Sequence, residues 1–368
     1  HTAYRRQRQM CIRDRFIITA ISVAVSAVCL IFQKPLLRFI FGAVEADVMR
    51  ASETYFFFTA LSFPFIAAYD SAASIFRAQE NTKGPMTISM ISNVMNIGGN
   101  AILIWVFHLG VAGAALSTLV SRIFCAVVVL YQLRKDRQPI VVRDYLKIRP
   151  DWGMIKRILG LGIPSGVENS MFQLGKLAIQ STVSTLGTTA IAAQAMTNIL
   201  ENLNGIAAIG VGVGLMTIVG QCLGAGRKDE AVYYIKKLCV IAEFVIIASC
   251  LVVYILARPV TILGGMEKES AAMCIHMITW ITIVKPLVWT MGFVPGYGLR
   301  AAGDVKFSMI TSCCTMWACR FCLCVFLIRV LGFGPMGVWI GMFADWTVRG
   351  IIFTWRFHSR KWLEHKVI

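Results

Sequence analysis

Charge is what this sequence has least of. Only 15% of its 368 residues are Asp, Glu, Lys or Arg, against about 25% in a soluble domain. Acids are scarcer than bases, 19 against 36, and there are five histidines. No HExxH or GxxxxGK[ST] segment and no His/Ser/Asp arrangement occurs, which removes the common hydrolase signatures and the phosphate loop that a self-contained ATP-driven pump needs. The apolar runs lack period-two alternation and are too long for barrel strands. Twelve cysteines are present, but most fall inside apolar runs: Cys29, Cys125, Cys250 and the group Cys313, Cys314, Cys319, Cys322 and Cys324. No CxxC stands in a polar loop with a second pair at zinc spacing. They read as small packing residues. Low-complexity tracts are missing too.

What remains is apolar. Hydrophobic residues make up 57% of the chain and mean hydropathy is +0.69. Runs of about 20 residues, the length that crosses a bilayer as a helix, fall at 16–41, 53–76, 86–107, 111–133, 158–185, 190–222, 233–257, 270–299, 307–330 and 335–357. Helices satisfy their own backbone groups, which lipid cannot do. The expected fold is an all-α polytopic membrane protein with ten spans.

A net charge of +17 suggests nucleic acid at first sight, but its placement says otherwise. With loops assigned alternately to two sides, one side collects twenty Lys and Arg, from Arg77 and Lys83 through the 134–157 segment to Arg360, Lys361 and Lys366. The other holds six: Lys34, Arg38, Arg50, Arg258, Lys268 and Arg329. The positive-inside bias puts the first side and the C-terminus in the cytoplasm of a cell membrane. The charge is topology, and no nucleic-acid partner is expected.

The chain also repeats itself. RAQENTKGPMTISM from Arg77 returns as RAAGDVKFSMITS from Arg300, with Arg77/Arg300, Lys83/Lys306, Met86/Met309 and Gly42/Gly265 all offset by 223 residues. Two half-bundles of like sequence are how many secondary transporters are built, with the cargo path between them. On that offset, the first-half counterpart of residues 151–238 would precede residue 1, and Cys239 maps to position 16. Residues 1–15 are polar, Arg-rich and unlike the rest. They are read as a non-native leader resembling translated adapter sequence, to be excluded from fold reasoning.

The expected organisation is therefore a leader at 1–15, a first bundle at 16–133 lacking two helices, and a cytoplasmic linker at 134–156. A six-helix second bundle at 157–357 and a cytoplasmic tail at 358–368 complete it. The linker is expected to carry a surface-lying amphipathic segment near Trp152–Arg157. The full protein is expected to have twelve spans, and this portion alone is expected not to transport.

Four motifs then carry a resemblance. VGQCLGAGRKDEA (Val219–Ala231) is a span end, a Gly-rich turn and a basic helix start. LGIPSG (Leu161–Gly166) opens the fifth span, LGTTAIAAQ (Leu186–Gln194) leads into the sixth, and the RA…K…M element stands in both halves. In this order they resemble the multidrug and toxic compound extrusion (MATE) transporters over about residues 16–357. The resemblance implies two six-helix bundles around a cavity, alternating access, and efflux of amphipathic, often cationic small molecules driven by Na⁺ or H⁺. It implies no other cofactor, and a monomer is expected.

Ionisable groups inside spans cost at least ~2.5–3.5 kcal/mol at the helix centre and are functional candidates by default. Glu168 leads them. It lies one turn past Pro164, whose ring leaves a backbone carbonyl free, and Asn169 and Gln173 would add oxygen ligands for a proton or Na⁺. The alternative is a structural pair with Lys176. Family members often carry an acid one turn further on, where this chain has Phe172. Asn96 and Asn100, after Asn93, match a spacing that the family uses for an Asn and an acid, and they equally suit interhelical hydrogen bonding.

Glu201 and Asn202, with Asn204, cluster on the sixth span and face either the cavity or the hairpin. Lys285, beside Pro286 and Trp289 where some relatives carry an acid, is read as an internal counter-charge to Glu168 or a snorkelling cation. Asp70 either lines the cavity or ends its span. Arg122, Glu243, Arg320, Asp345 and Arg349 read as structural, the last two as an i,i+4 pair. Phe172, Met171, Met196, Met216 and Trp289 suit a plastic cavity or plain packing. The rivals to efflux are a flippase for a lipid-linked saccharide, with cations in its cavity to meet phosphate, and a non-transporting membrane protein, which leaves the repeat and the acids unexplained.

Overall fold

The computed structural model describes residues 18–41, 46–79, 81–134 and 152–364. The leader at 1–15, most of the 134–156 linker and the last four residues of the tail lie outside the described residues. Among the described residues all regular structure is helical. The chain divides into two units, His1–Ile158 and Leu159–Ile368.

The first unit holds α1 (Ile18–Ile31), α2 (Gln33–Phe41), α3 (Ala46–Ala78), α4 (Lys83–Ala101, extended by a π turn at Ile102–Val106) and α5 (Gly110–Leu133). Helix α5 packs against both α3 and α4, around Ala72, Ile75, Phe76, Ile88, Cys125, Val129 and Leu133. Small residues bring α4 and α5 together: a Cβ on Gly99 would stand 2.5 Å from the Ser117 hydroxyl. In lipid, where apolar burial no longer drives association, such close backbone approach and interhelical hydrogen bonds hold helices together.

In the second unit, α6 (Trp152–Val183) is followed by a short 3₁₀ turn, then α7 (Thr188–Gly224), α8 (Lys228–Leu263) and α9 (Lys268–Ala301). Next come α10 (Val305–Thr315), a π turn (Met316–Cys322), α11 (Leu323–Arg329) and α12 (Met336–His358). Residues 152–157, where a surface-lying amphipathic segment is expected, form the first turn and a half of α6. Helices α7, α8, α9 and α12 share one core containing Leu200, Leu215, Ile246, Met277, Trp339 and Phe353. A second cluster, Ile179, Val183, Met316, Cys324, Ile328 and Val338, ties α6 to the π turn, α11 and α12.

Seven of the described helices are long and apolar enough to cross a membrane: α3, α4 with its π turn, α5, α7, α8, α9 and the α10–α11 run. Helix α1 is shorter. Neither α6 nor α12 is in that set, and their sequences explain why. Helix α6 carries Glu168, Asn169, Gln173, Lys176 and Gln180, and α12 carries Asp345, Arg349 and Arg356.

The repeated element takes the same local form in each unit. A long helix ends just after its Arg (Arg77, Arg300), and a new helix begins at or beside its Lys (Lys83, Lys306). In the second unit Gly303 supplies φ +86°, with Gly303 N–H donating to Arg300 O and Asp304 N–H to Leu299 O, both at 3.0 Å. The Gly-rich turn after α7 closes identically. Gly226 stands at φ +76° and Arg227 N–H reaches Cys222 O at 2.8 Å. Both are left-handed glycine exits that return unpaired carbonyls to hydrogen bonds.

Candidate functional site

Helix α6 offers Gln173, Lys176 and Gln180 at spacings of three and four, so one face carries all three. Helix α7 does the same with Gln194, Asn198, Glu201 and Asn202. In the second unit these two faces border a cavity of about 490 Å³, closed by Arg320, Val338 and Met342. That volume suits a drug-sized molecule, for which pockets run to ~300–1,000 Å³. A second cavity, about 710 Å³ and apolar, runs along α9 and α12 past Met273, His276 and Trp280.

Two ion pairs form on the helices that carry these residues, one at the cavity-lining Glu201 and one at Glu168 of α6. Lys285, at 0% exposure, places Nζ 2.7 Å from Glu201 Oε1 and over the rings of Trp289 and Trp346, at 5.6 and 5.8 Å. The counter-charge expected for Lys285 was Glu168; its partner is Glu201, contributed by α7. Glu168, 8% exposed, is held by Arg300 of α9 at 2.5 Å. Arg300 also donates to the Ser308 hydroxyl and lies over the Tyr297 ring. Glu168 is therefore not paired with Lys176.

The oxygens expected around Glu168 do not gather there. Asn169 turns back to donate to Ser165 O of its own helix, and Gln173 faces the cavity. With a guanidinium on Glu168, no Na⁺-ligating set converges on it. Among the described residues no group of three His, Cys, Asp or Glu is placed to hold a metal.

Lys176 and Arg320 share one aromatic ring. Nζ and Cζ each lie 5.1 Å from the centroid of Phe172. Arg320 sits on the π turn, a local widening of the helix that is frequent at functional sites. Gly341 of α12 lets that turn approach, since a Cβ there would meet Arg320 O at 3.0 Å. Asp345 and Arg349 form the expected i,i+4 pair at 2.9 Å, fully buried, with Arg349 also reaching Thr315 Oγ1 and the Phe293 ring. Trp289 belongs to the core, stacked on Phe293 at 4.8 Å.

In the first unit, Asn96 and Asn100 act as a ladder. Asn100 Nδ2 donates to Asn96 Oδ1 and Asn96 Nδ2 to Thr118 Oγ1, both at 3.3 Å, while Ser117 donates to Asn96 O. Asn96 thus bonds α4 to α5, while Asn100 donates to it from within α4. Asp70 is exposed on α3, and its backbone carbonyl accepts from Ser74.

Of the ten residues singled out in the sequence, Gln173, Lys176, Glu201 and Asn202 are brought together at the cavity, with Lys285 behind Glu201. Glu168 stands in its own pair, and Asn169, Asn96, Asn100 and Asp70 lie elsewhere. Arg300, Arg320, Gln180, Gln194 and Asn198 were missed. The polar spacings on α6 and α7 were a usable signal for the last three.

A family model described as MatE matches residues 164–326, and one described as the lipid II flippase MurJ matches residues 5–152. The probable multidrug resistance protein NorM of Thermotoga maritima is 24% identical over 339 residues, covering 89% of this chain and 71% of its own length. The uncharacterized transporter YisQ of Bacillus subtilis is 26% identical over 349 residues, with 94% and 76% covered.

Among solved structures, an outward-facing MATE family transporter of the MOP superfamily superposes with TM-score 0.84 at 19% identity, covering 96% of this chain and 79% of that one. A MOP superfamily transporter from Pyrococcus furiosus, whose binding pocket of reverse polarity suggests a different function for it, gives TM-score 0.86 at 18% identity, with 98% and 80% covered. Fold and sequence together describe a multi-pass membrane protein that resembles transporters. The chain is similar to the MATE transporters, in sequence where the MatE model matches residues 164–326 and in fold across most of its length.

Proposed function

We propose that the protein exports amphipathic small molecules across a cell membrane by alternating access, its C-terminus on the cytoplasmic side. The observation that carries this reading is the 490 Å³ polar-lined cavity within helices that are otherwise apolar. The NorM relatives, named as probable multidrug resistance proteins, support export as the direction. The twenty-to-six distribution of Lys and Arg supports the orientation.

Coupling would act through the Glu168–Arg300 pair, which joins α6 to α9. A carboxylate already neutralised by a guanidinium has no net charge to attract a second cation. An incoming H⁺ or Na⁺ must therefore release Arg300, and that release frees α6 from α9. Each ligand then shifts the equilibrium by its differential affinity for the paired and unpaired states. The family resemblance implied cationic cargo; the charge of the cavity argues for the other sign, as developed below.

A second reading has its own support. The MurJ match over residues 5–152 favours a flippase for a lipid-linked saccharide. Filling the cavity tests the primary reading. Asn202→Trp, at an exposed lining position, should abolish dye extrusion by the protein as its gene encodes it while membrane expression stays normal. Undiminished extrusion would move the cargo path elsewhere.

A further inference from the structure

The cavity has an excess of positive charge and of hydrogen-bond donors. Its one carboxylate, Glu201, is already neutralised by Lys285 at 2.7 Å. Two cations remain. Arg320 is 7% exposed, its Nε meets no acceptor, and no carboxylate lies within ion-pair distance among the described residues. The acids whose charge reaches it are Asp345 and Glu201, and both are held by other cations, Arg349 and Lys285. Among the described residues Lys176 likewise meets no carboxylate at ion-pair distance and lies over the Phe172 ring. A buried guanidinium without a counter-ion is costly, so this arrangement is one that an incoming anion completes.

The amides point the same way. Trp339 Nε1 can only donate, so the atom it meets at 3.1 Å must be the carbonyl oxygen of Gln194. That leaves Gln194 Nε2 to donate, which it does to Asn198 Oδ1 at 3.5 Å. Asn198 is left with its own NH₂ group. The relay Trp339→Gln194→Asn198 thus consumes acceptors and presents a donor.

We propose that this cavity binds an anionic group, a carboxylate or a phosphate, on an amphipathic molecule, with Arg320 and Lys176 as its charge partners and Phe172 beneath its apolar part. The proposal names the cargo class of the site described above and rests on its being the cargo site.

The test uses purified protein in phosphatidylcholine nanodiscs, with two fluorescent probes followed by anisotropy: carboxyfluorescein as the anion and rhodamine 6G as the cation. Carboxyfluorescein should bind more tightly, and Lys176→Gln should weaken it at least about tenfold, the loss expected for one charge-assisted hydrogen bond. Rhodamine 6G should be unaffected or improved. Because Arg320 is buried, Arg320→Lys is the companion variant, keeping charge while losing the fork. It should weaken the anion less than Arg320→Gln does.

Farnesyl phosphate and benzoate serve as competitors. Displacement by farnesyl phosphate alone assigns a lipid-borne phosphate. Displacement by benzoate assigns a free small anion. Binding of rhodamine 6G in preference to carboxyfluorescein, an unchanged Lys176→Gln, or displacement by neither competitor overturns the proposal. Failure here is separable from failure of the export reading. A protein that extrudes dye through the cavity yet prefers rhodamine 6G keeps that reading and loses this inference.

Discussion

Lys285 buries its ammonium 2.7 Å from the carboxylate of Glu201, between the indoles of Trp289 and Trp346. The pair links α9 to α7 and removes the cavity's only negative charge. Removing one member of a buried pair leaves its partner uncompensated, at a cost of about 3–5 kcal/mol, whereas removing both together is often close to neutral. Lys285→Met should therefore lower the thermal midpoint in detergent markedly. The double variant Lys285→Met, Glu201→Gln should recover most of the loss.

Arg300 restrains Glu168 by occupying it. Arg300→Gln removes the group that, on the proposed coupling, an incoming ion would displace. Half-maximal drive should then need a smaller imposed ion gradient, read as efflux rate against gradient in proteoliposomes. Arg300→Lys, which keeps a point charge but not the planar fork, should fall between that variant and the natural protein.

The π turn that carries Arg320 depends on the missing side chain at Gly341. A Cβ there would stand 3.0 Å from Arg320 O and 3.3 Å from Cys324 Cβ. Gly341→Ala should cost about 1–3 kcal/mol in stability by overpacking. It should also weaken carboxyfluorescein binding, since the turn must shift to make room. Calorimetry and anisotropy on one preparation separate the two effects.

In the first unit, Asn96 links α4 to α5 through Thr118 and Ser117, and Asn100 donates to Asn96 from one turn along α4. Interhelical hydrogen bonds in membranes are worth about 0.6 kcal/mol each. Asn100→Leu, which removes a bond within α4 and leaves the Asn96–Thr118 link in place, should cost no more than about that amount and leave efflux intact. A large loss of efflux with unchanged stability would return Asn100 to the transport machinery.

The helices were legible because lipid imposes run length and helix exits need glycine, as the Gly226 and Gly303 turns illustrate. The faces of α6 and α7 were legible in part. Glu201, Asn202, Gln173 and Lys176 stood out as polar residues in apolar runs, and the same reasoning at i,i+4 would have added Gln194 and Asn198. The partner of Glu168 was not legible. Arg300 is 132 residues away and sits in a repeated element whose basic residues also serve as cytoplasmic anchors. Arg320 reads as structural in the sequence because composition does not reveal a π turn. The turn aims its side chain at the cavity instead of into the packed cluster around Met316.

The central claim is that a buried carboxylate in the second unit couples an ion gradient to cargo bound in the adjoining unit-internal cavity. Its most direct test is gradient-driven efflux by Glu168→Gln in proteoliposomes, with cargo binding measured on the same sample. The account predicts that binding persists while the imposed gradient no longer accelerates efflux. Gradient-driven efflux at the rate of the natural protein would contradict it.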